Sequence, residues 1–131
     1  TLRSTSTGTP AAGIGVALDF AAETAAGNNE IGARIGAVTT DVTSTSEDFD
    51  LVISTMAAGA AVAEVGRHKS TGTYKMPVFT VANLPAGTAG EISFASNGRK
   101  NGEGAAAGTG VLVFHDGTAW RACDTGATVA A

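Results

Sequence analysis

The 131-residue chain has one cysteine, two histidines, three prolines, one tryptophan and one tyrosine, so most side chains that carry chemistry are scarce. One cysteine excludes an intrachain disulfide framework and a zinc site of the CxxC type. Two histidines, His68 and His115, do not complete a zinc site within one chain. A threefold assembly would bring three copies of one histidine to its axis, but a solvated imidazole at a strand end is the simpler role. No apolar run approaches the roughly 20 residues of a membrane-spanning helix, so no membrane insertion is expected. Eight basic residues stand against twelve acidic ones, for a net charge of −4. The densest basic spots are "RHK" at 67–69 and "RK" at 99–100, far short of the stripe that nucleic acid requires. The chain opens on Thr1 rather than Met, which reads as a fragment or a processed product.

Bulk is scarce too. Of the residues counted as hydrophobic, 26 are alanine and only 31 are larger or cysteine. Alanine buries little area, and a chain of this size buries only about two-thirds of its unfolded surface. A core built this way is marginal alone, and partner copies are the obvious remedy.

What remains is alternation. Residues 1–12, "TLRSTSTGTPAA", are small and polar and read as a linker or arm. Ile14, Val16, Leu18, Phe20 and Ala22 then repeat with period two, as in a half-buried strand. "AAGNN" at 25–29 makes a turn in which Gly27 and Asn28 tolerate positive φ, and Ile31, Ala33, Ile35 and Ala37 share a face beyond it. This is a hairpin. Residues 46–59 read two ways. Phe49, Val52, Ile53 and Met56 make a helical stripe with Gly59 as its C-cap, whereas Phe49, Leu51, Ile53 and Thr55 alternate as a strand; the β-branched "TTDVTSTS" before them favours strand. "AAGNNEIGAR" and "AAGAAVAEVG", offset by 32 residues, suggest either a duplicated hairpin or chance in an Ala-rich chain. "VFTVANLPAGTAGEISFAS" reads as two short strands joined by a Pro/Gly turn. Residues 97–110 form a glycine-rich surface loop, expected to be mobile and lacking any phosphate-cradling pattern.

"VLVFHDGTAWRACD" at 111–124 gathers His115, Asp116 and Cys123 as if for a nucleophile or a metal. Asp-Gly between alternating runs is instead a two-residue hairpin signal. With Asp116 and Gly117 as the turn, His115 faces Thr118, Val113 faces Trp120 and Val111 faces Ala122. Cys123 then falls on the opposite face, roughly 16 Å along the strand from His115, too far for proton transfer. Cys123 reads as a small buried or interface residue, and Trp120 as core rather than a sugar-stacking platform. Glu47, Asp48 and Asp50 lack the spacing of a calcium loop and read as a solvated acidic turn. No constellation supports an enzyme, a metal or a cofactor. A glycan depolymerase would need paired acids, and Glu64 with Asp50 or Glu91 are pairs that only their spatial separation can decide.

"PAAGIGVALDFAAETAAGNNEIGARIGAVTTDVTSTSEDFDLVISTMAAGAA" resembles a segment of tail fibre and tail spike proteins of tailed bacteriophages, through Gly13, Gly15, Leu18, Phe20, Ile31, Gly32, Phe49, Asp50 and Leu51. "LPAGTAGEISFASNGRKNGEGAAAGTGVLVFHDGTAWRACDTGATVAA" is similar to the C-terminal module of such virion proteins, and the two stretches cover about nine-tenths of the chain. The chain departs from the pattern at "STGTYKMPVFTV", where such fibres often continue into a "STGNVGIGT" repeat or a self-cleaving chaperone.

The resemblance implies an all-β homotrimer of antiparallel hairpins in small sandwich- or prism-like modules, located on the virion, outside the cell. It also implies a function in host attachment without catalysis. The expected partners are other copies of itself, other virion structural proteins and a host cell-surface glycan or protein. A head fibre or capsid decoration protein, a depolymerase domain and a bacterial trimeric adhesin are the alternatives. The expected organisation is an arm at 1–12, a hairpin domain at 13–72 and a small β module at 73–131. Tyr74, Asn97, Arg99, Lys100 and Asn101, with the rest of the 97–104 loop, are the receptor-binding candidates. Val111, Val113, Trp120 and Val129 are the interface candidates, and the apolar tail "DTGATVAA" is expected to pack on neighbouring chains.

Overall fold

The computed structural model describes residues 3, 5 and 7–131, so residues 1, 2, 4 and 6 of the expected arm lie outside the described residues. The protein is all-β, with a single 3₁₀ turn as its only helical element among the described residues. It divides into two units, one ending at Lys75 and one beginning at Met76.

The first unit is one five-stranded antiparallel meander in sequence order: β1 (Gly15–Glu23), β2 (Asn29–Asp41), β3 (Asp48–Thr55), β4 (Ala63–His68) and β5 (Tyr74–Lys75). The 24–28 turn closes through Thr24, whose N–H donates to Asn28 O at 2.8 Å. Gly27 takes the positive φ there, and Asn28 does not. The ambiguous segment at 46–59 is strand: β3 is hydrogen-bonded to β2 on one side and β4 on the other, a pairing no helix allows. Gly59 has φ +73 in a turn rather than at a helix end. The expected boundary at 72/73 moves, because Tyr74 pairs with His68 and Lys75 with Arg67, which ties β5 into this sheet.

The second unit is a four-stranded sheet ordered β6 (Val78–Phe79), β7 (Ile92–Ala95), β8 (Val111–His115) and β9 (Trp120–Ala122). These are the two short strands expected on either side of a Pro/Gly turn, and β6 and β7 run parallel. The twelve residues between them, including the 3₁₀ turn Val81–Asn83, are long enough to cross over instead of reversing tightly. One face of β7–β9 is covered by Val81 and Leu84 and by the returning C-terminal tail, giving a core of Ala95, Val111, Val113, Trp120, Ala122 and Val129. Trp120 Nε1 donates to Pro85 O at 2.8 Å, pinning the crossover to the sheet.

The four residues expected at an interface, Val111, Val113, Trp120 and Val129, therefore fill this unit's own core. The tail is also corrected. Gly126, with φ +69, reverses the chain, and Val129 N–H donates to Trp120 O at 2.9 Å, which lays the tail beside β9 of the same chain.

Strand β8 turns into β9 over four residues, since His115 pairs with Trp120 and Val113 with Ala122. The expected two-residue loop fails because Asp116 is the residue before the bend, and only Gly117 takes a positive φ (+97). The Asp116 carboxylate accepts N–H bonds from Thr118 and Ala119, both at 2.8 Å. The register slips by two, an even number, so the same residues still face the core.

Val113 is fully buried and central to this small core. Val113→Ala is expected to lower the stability of the full chain by about 2 kcal/mol in denaturant unfolding followed through Trp120 fluorescence. An unmoved midpoint would mean that these strands do not enclose the core described.

Candidate interaction surfaces

Strand alternation gives the first sheet two unlike faces. On one, Leu18 lies across from Ile35 and Ile35 from Ile53; in the next row Val16, Ala37, Leu51, His68 and Tyr74 follow in register. Phe20 and Phe49 extend this face at either end. Its large side chains stand in water: Ile35 is 41% exposed, Leu18 47% and Phe49 54%. Among the described residues no apolar side chain of the first unit is buried, since every buried one lies at position 95 or beyond.

The opposite face is charged and internally satisfied. Asp19 and Arg34 pair directly across β1 and β2 through two hydrogen bonds of 2.5 and 2.9 Å. Arg67 is shared: Nη1 reaches Asp50 at 2.9 Å, while Nε and Nη2 reach Glu64 at 3.1 and 2.6 Å. Asp50 is buried, and its second oxygen accepts Ser70 N–H at 2.9 Å. The Arg67 guanidinium, followed by the Ser70 N–H, holds the Asp50 carboxyl below its usual range, and Arg67 likewise lowers Glu64. Asp50 is therefore no part of a solvated acidic turn. One arginine thus engages both carboxylates, Asp50 and Glu64, in a single ion-paired cluster. Glu91 belongs to the second unit, where its carboxylate accepts Thr88 Oγ1 at 2.8 Å.

Tyr74 is half exposed, with its ring 4.8 Å from that of His68 and lying over Gly66. It completes the apolar face of the first sheet, whereas Asn97, Arg99, Lys100 and Asn101 all sit in the second unit. Their loop is laced rather than loose. Asn97 Oδ1 accepts Val81 N–H at 2.7 Å, which commits that amide to the interior. Arg99 and Ala106 donate backbone N–H to Ala130 and Ala131 of the tail. Glu103 is the hub: its carboxylate accepts from Lys100 N, Thr109 N and Thr109 Oγ1, and these bonds lower its pKa, Thr109 most of all. Lys100 Nζ donates to Thr109 Oγ1 at 2.8 Å. Sequence reasoning missed Glu103, and only its placement among glycines marked it. Asn101 N–H donates to Asp124 at 2.7 Å, leaving its side chain exposed.

His115 is buried, not solvated. Its ring meets Trp120 edge-on at 5.3 Å and its Nδ1 accepts Gly117 N–H at 3.1 Å. Gly87 packs so closely that an added Cβ would lie 2.6 Å from His115 Cδ2. Cys123, expected to be buried or at an interface, is exposed. Among the described residues no three His, Cys, Asp or Glu side chains gather as a metal site.

No protein-family model, curated protein or solved structure matches the chain.

The N–H of Ala119, the guanidinium of Arg121 and the N–H of Thr118 together hold the Asp116 carboxyl far below the ordinary value of 3.8. A depressed folded-state pKa contributes stability above the unfolded value, and that stability is lost as pH falls through the folded one. The wild type is accordingly expected to be more stable than Asp116→Asn at neutral pH. The gap should close as the pH is lowered past 3.8, measured as paired thermal unfolding series.

Proposed function

We propose that the chain is a structural domain of a phage tail fibre or tail spike, assembled as a homotrimer on the virion surface and serving host attachment without catalysis. The observation that carries this reading is the uncovered apolar face of the first sheet, formed by Leu18, Phe20, Ile35, Phe49 and Leu51. A sheet with no buried apolar side chain needs a second layer, and identical faces from neighbouring copies supply one around a shared axis. The resemblance of residues 10–61 to fibre segments supports a copy number of three.

The charged face points outward in this arrangement, since sequestering its guanidinium–carboxylate pairs would cost desolvation that an apolar face does not incur. Attachment rests on multivalency: three copies of a modest site on a rigid support gain avidity through effective concentration. The laced 99–104 loop is the candidate contact with a host glycan or protein, and other virion proteins hold the domain in place. Its preorganisation removes part of the ordering cost of binding.

Sedimentation equilibrium of the full chain is expected to give three times the 12.8 kDa monomer mass. The double variant Leu18→Asp/Leu51→Asp should abolish the assembly, whereas Arg34→Gln on the charged face should keep it. Thermal midpoints of the wild type should rise with protein concentration. A wild-type monomer with a concentration-independent midpoint would sink the reading. Incubation with host polysaccharide is expected to leave chain length unchanged, and shortening would favour the depolymerase instead.

A further inference from the structure

Three positions place an asparagine or aspartate before glycine: Asn97–Gly98, Asn101–Gly102 and Asp116–Gly117. In such pairs the glycine nitrogen can attack the preceding side-chain carbonyl, because glycine has no Cβ to obstruct the approach. The fold treats the three very differently.

At Asn97–Gly98 both reacting groups are engaged. Gly98 N–H donates to Ala95 O at 3.0 Å, and Asn97 Oδ1 accepts Val81 N–H at 2.7 Å. Gly98 is also buried, with Val111 Cγ1 2.7 Å and Ala95 Cβ 3.0 Å from where a Cβ would stand. At Asp116–Gly117 the nitrogen donates to His115 Nδ1 at 3.1 Å. The Asp116 carboxylate is fixed in its ionised form by Thr118, Ala119 and Arg121, and so lacks a leaving group.

Asn101–Gly102 has none of this protection. The two residues are the exposed centre of a turn closed by Glu103 N–H to Lys100 O at 3.1 Å. Among the described residues, nothing hydrogen-bonds to Gly102 N, Asn101 O or the Asn101 side-chain amide, so no hydrogen bond holds the peptide plane between them. Nothing lies within 4 Å of where a Gly102 Cβ would stand.

The geometry points to Asn101 as a site of spontaneous, fold-selected deamidation. The Gly102 nitrogen forms a bond to Asn101 Cγ while the Cγ–Nδ2 bond breaks. Nδ2 leaves as ammonia, taking up the proton lost from Gly102 N. Water then opens the five-membered imide at either carbonyl, giving aspartate or isoaspartate, with no change of oxidation state. The product carries a new carboxylate in a loop already built on Glu103 and Asp124, the latter holding Asn101 N–H at 2.7 Å. The isoaspartate form also adds a methylene to the main chain inside the turn that Glu103 braces. Ageing of the protein therefore rewrites the charge and shape of this one turn, whatever the loop binds.

The test is to incubate the full chain at mildly alkaline pH, native and in denaturant, and then map peptides by mass. Trypsin cleaves after Arg99 and Lys100, which puts Asn97 and Asn101 in separate peptides. In the native sample the amide-to-acid mass gain and isoaspartate are expected in the Asn101 peptide alone, with a one-charge acidic shift of the intact protein. In denaturant both peptides should react. Asn101→Gln should abolish the native acidic shift. Equal reaction of Asn97 in the native chain, or an unreactive Asn101 where the denatured chain reacts, would overturn the proposal.

Discussion

A sheet that sorts its side chains by alternation needs something to cover the greasy side, and this constraint governs the chain. In the second unit the chain supplies its own cover. The tail turns back at Gly126 to insert Val129, and the crossover brings Val81 and Leu84 against the same core. In the first unit the same alternation leaves Leu18, Phe20, Ile35, Phe49 and Leu51 about half in water. Covering the exposed half of one such side chain is worth on the order of 1 kcal/mol. Five or six of them approach the whole net stability of a typical domain, about 5–15 kcal/mol. The uncovered face is thus the largest unspent source of stability in the first unit.

The charged face explains why the two sides are not interchangeable. Asp50 is buried in a sheet whose other buried side chains, Thr39 and Ser54, are also polar, and it is tolerable there because Arg67 and the Ser70 N–H satisfy both of its oxygens. Arg67 in turn is anchored from its own strand by Glu64. Exposed pairs such as Asp19–Arg34 contribute little to stability. Their effect is to keep this side hydrated and to direct any docking to the opposite side.

Much of this was legible from period two alone. The residues sharing the apolar face of β1–β3 and the turn at 24–28 follow from alternation and turn chemistry. What was not legible depended on side chains acting on the backbone at a distance from their own pattern. Asp116 lengthens its turn by capping two N–H groups, a role its Asp-Gly spelling does not distinguish from a tighter bend. The direction of β6 relative to β7 is invisible in so short a strand as the two-residue β6, whose composition is the same either way. His115 looked like a solvated strand end, yet a Gly117 N–H and the edge of Trp120 let it be buried. Val111, Val113 and Val129 looked available to partners because nothing in the sequence shows that the tail returns.

The glycine-rich loop shows how the same return shapes a surface. Composition suggests a floppy segment, but Arg99 and Ala106 are stitched to Ala130 and Ala131, and Lys100 and Thr109 are gathered by Glu103. The tail that closes the core therefore also fixes the loop, so any disturbance of one is transmitted to the other. Within this lacing the peptide between Asn101 and Gly102 has no hydrogen bond among the described residues, because the turn is braced at its two ends instead of at its centre. A braced loop with a free apex is well suited to presenting one polar side chain at low entropic cost. The same freedom that presents the Asn101 amide exposes it to attack by its own backbone.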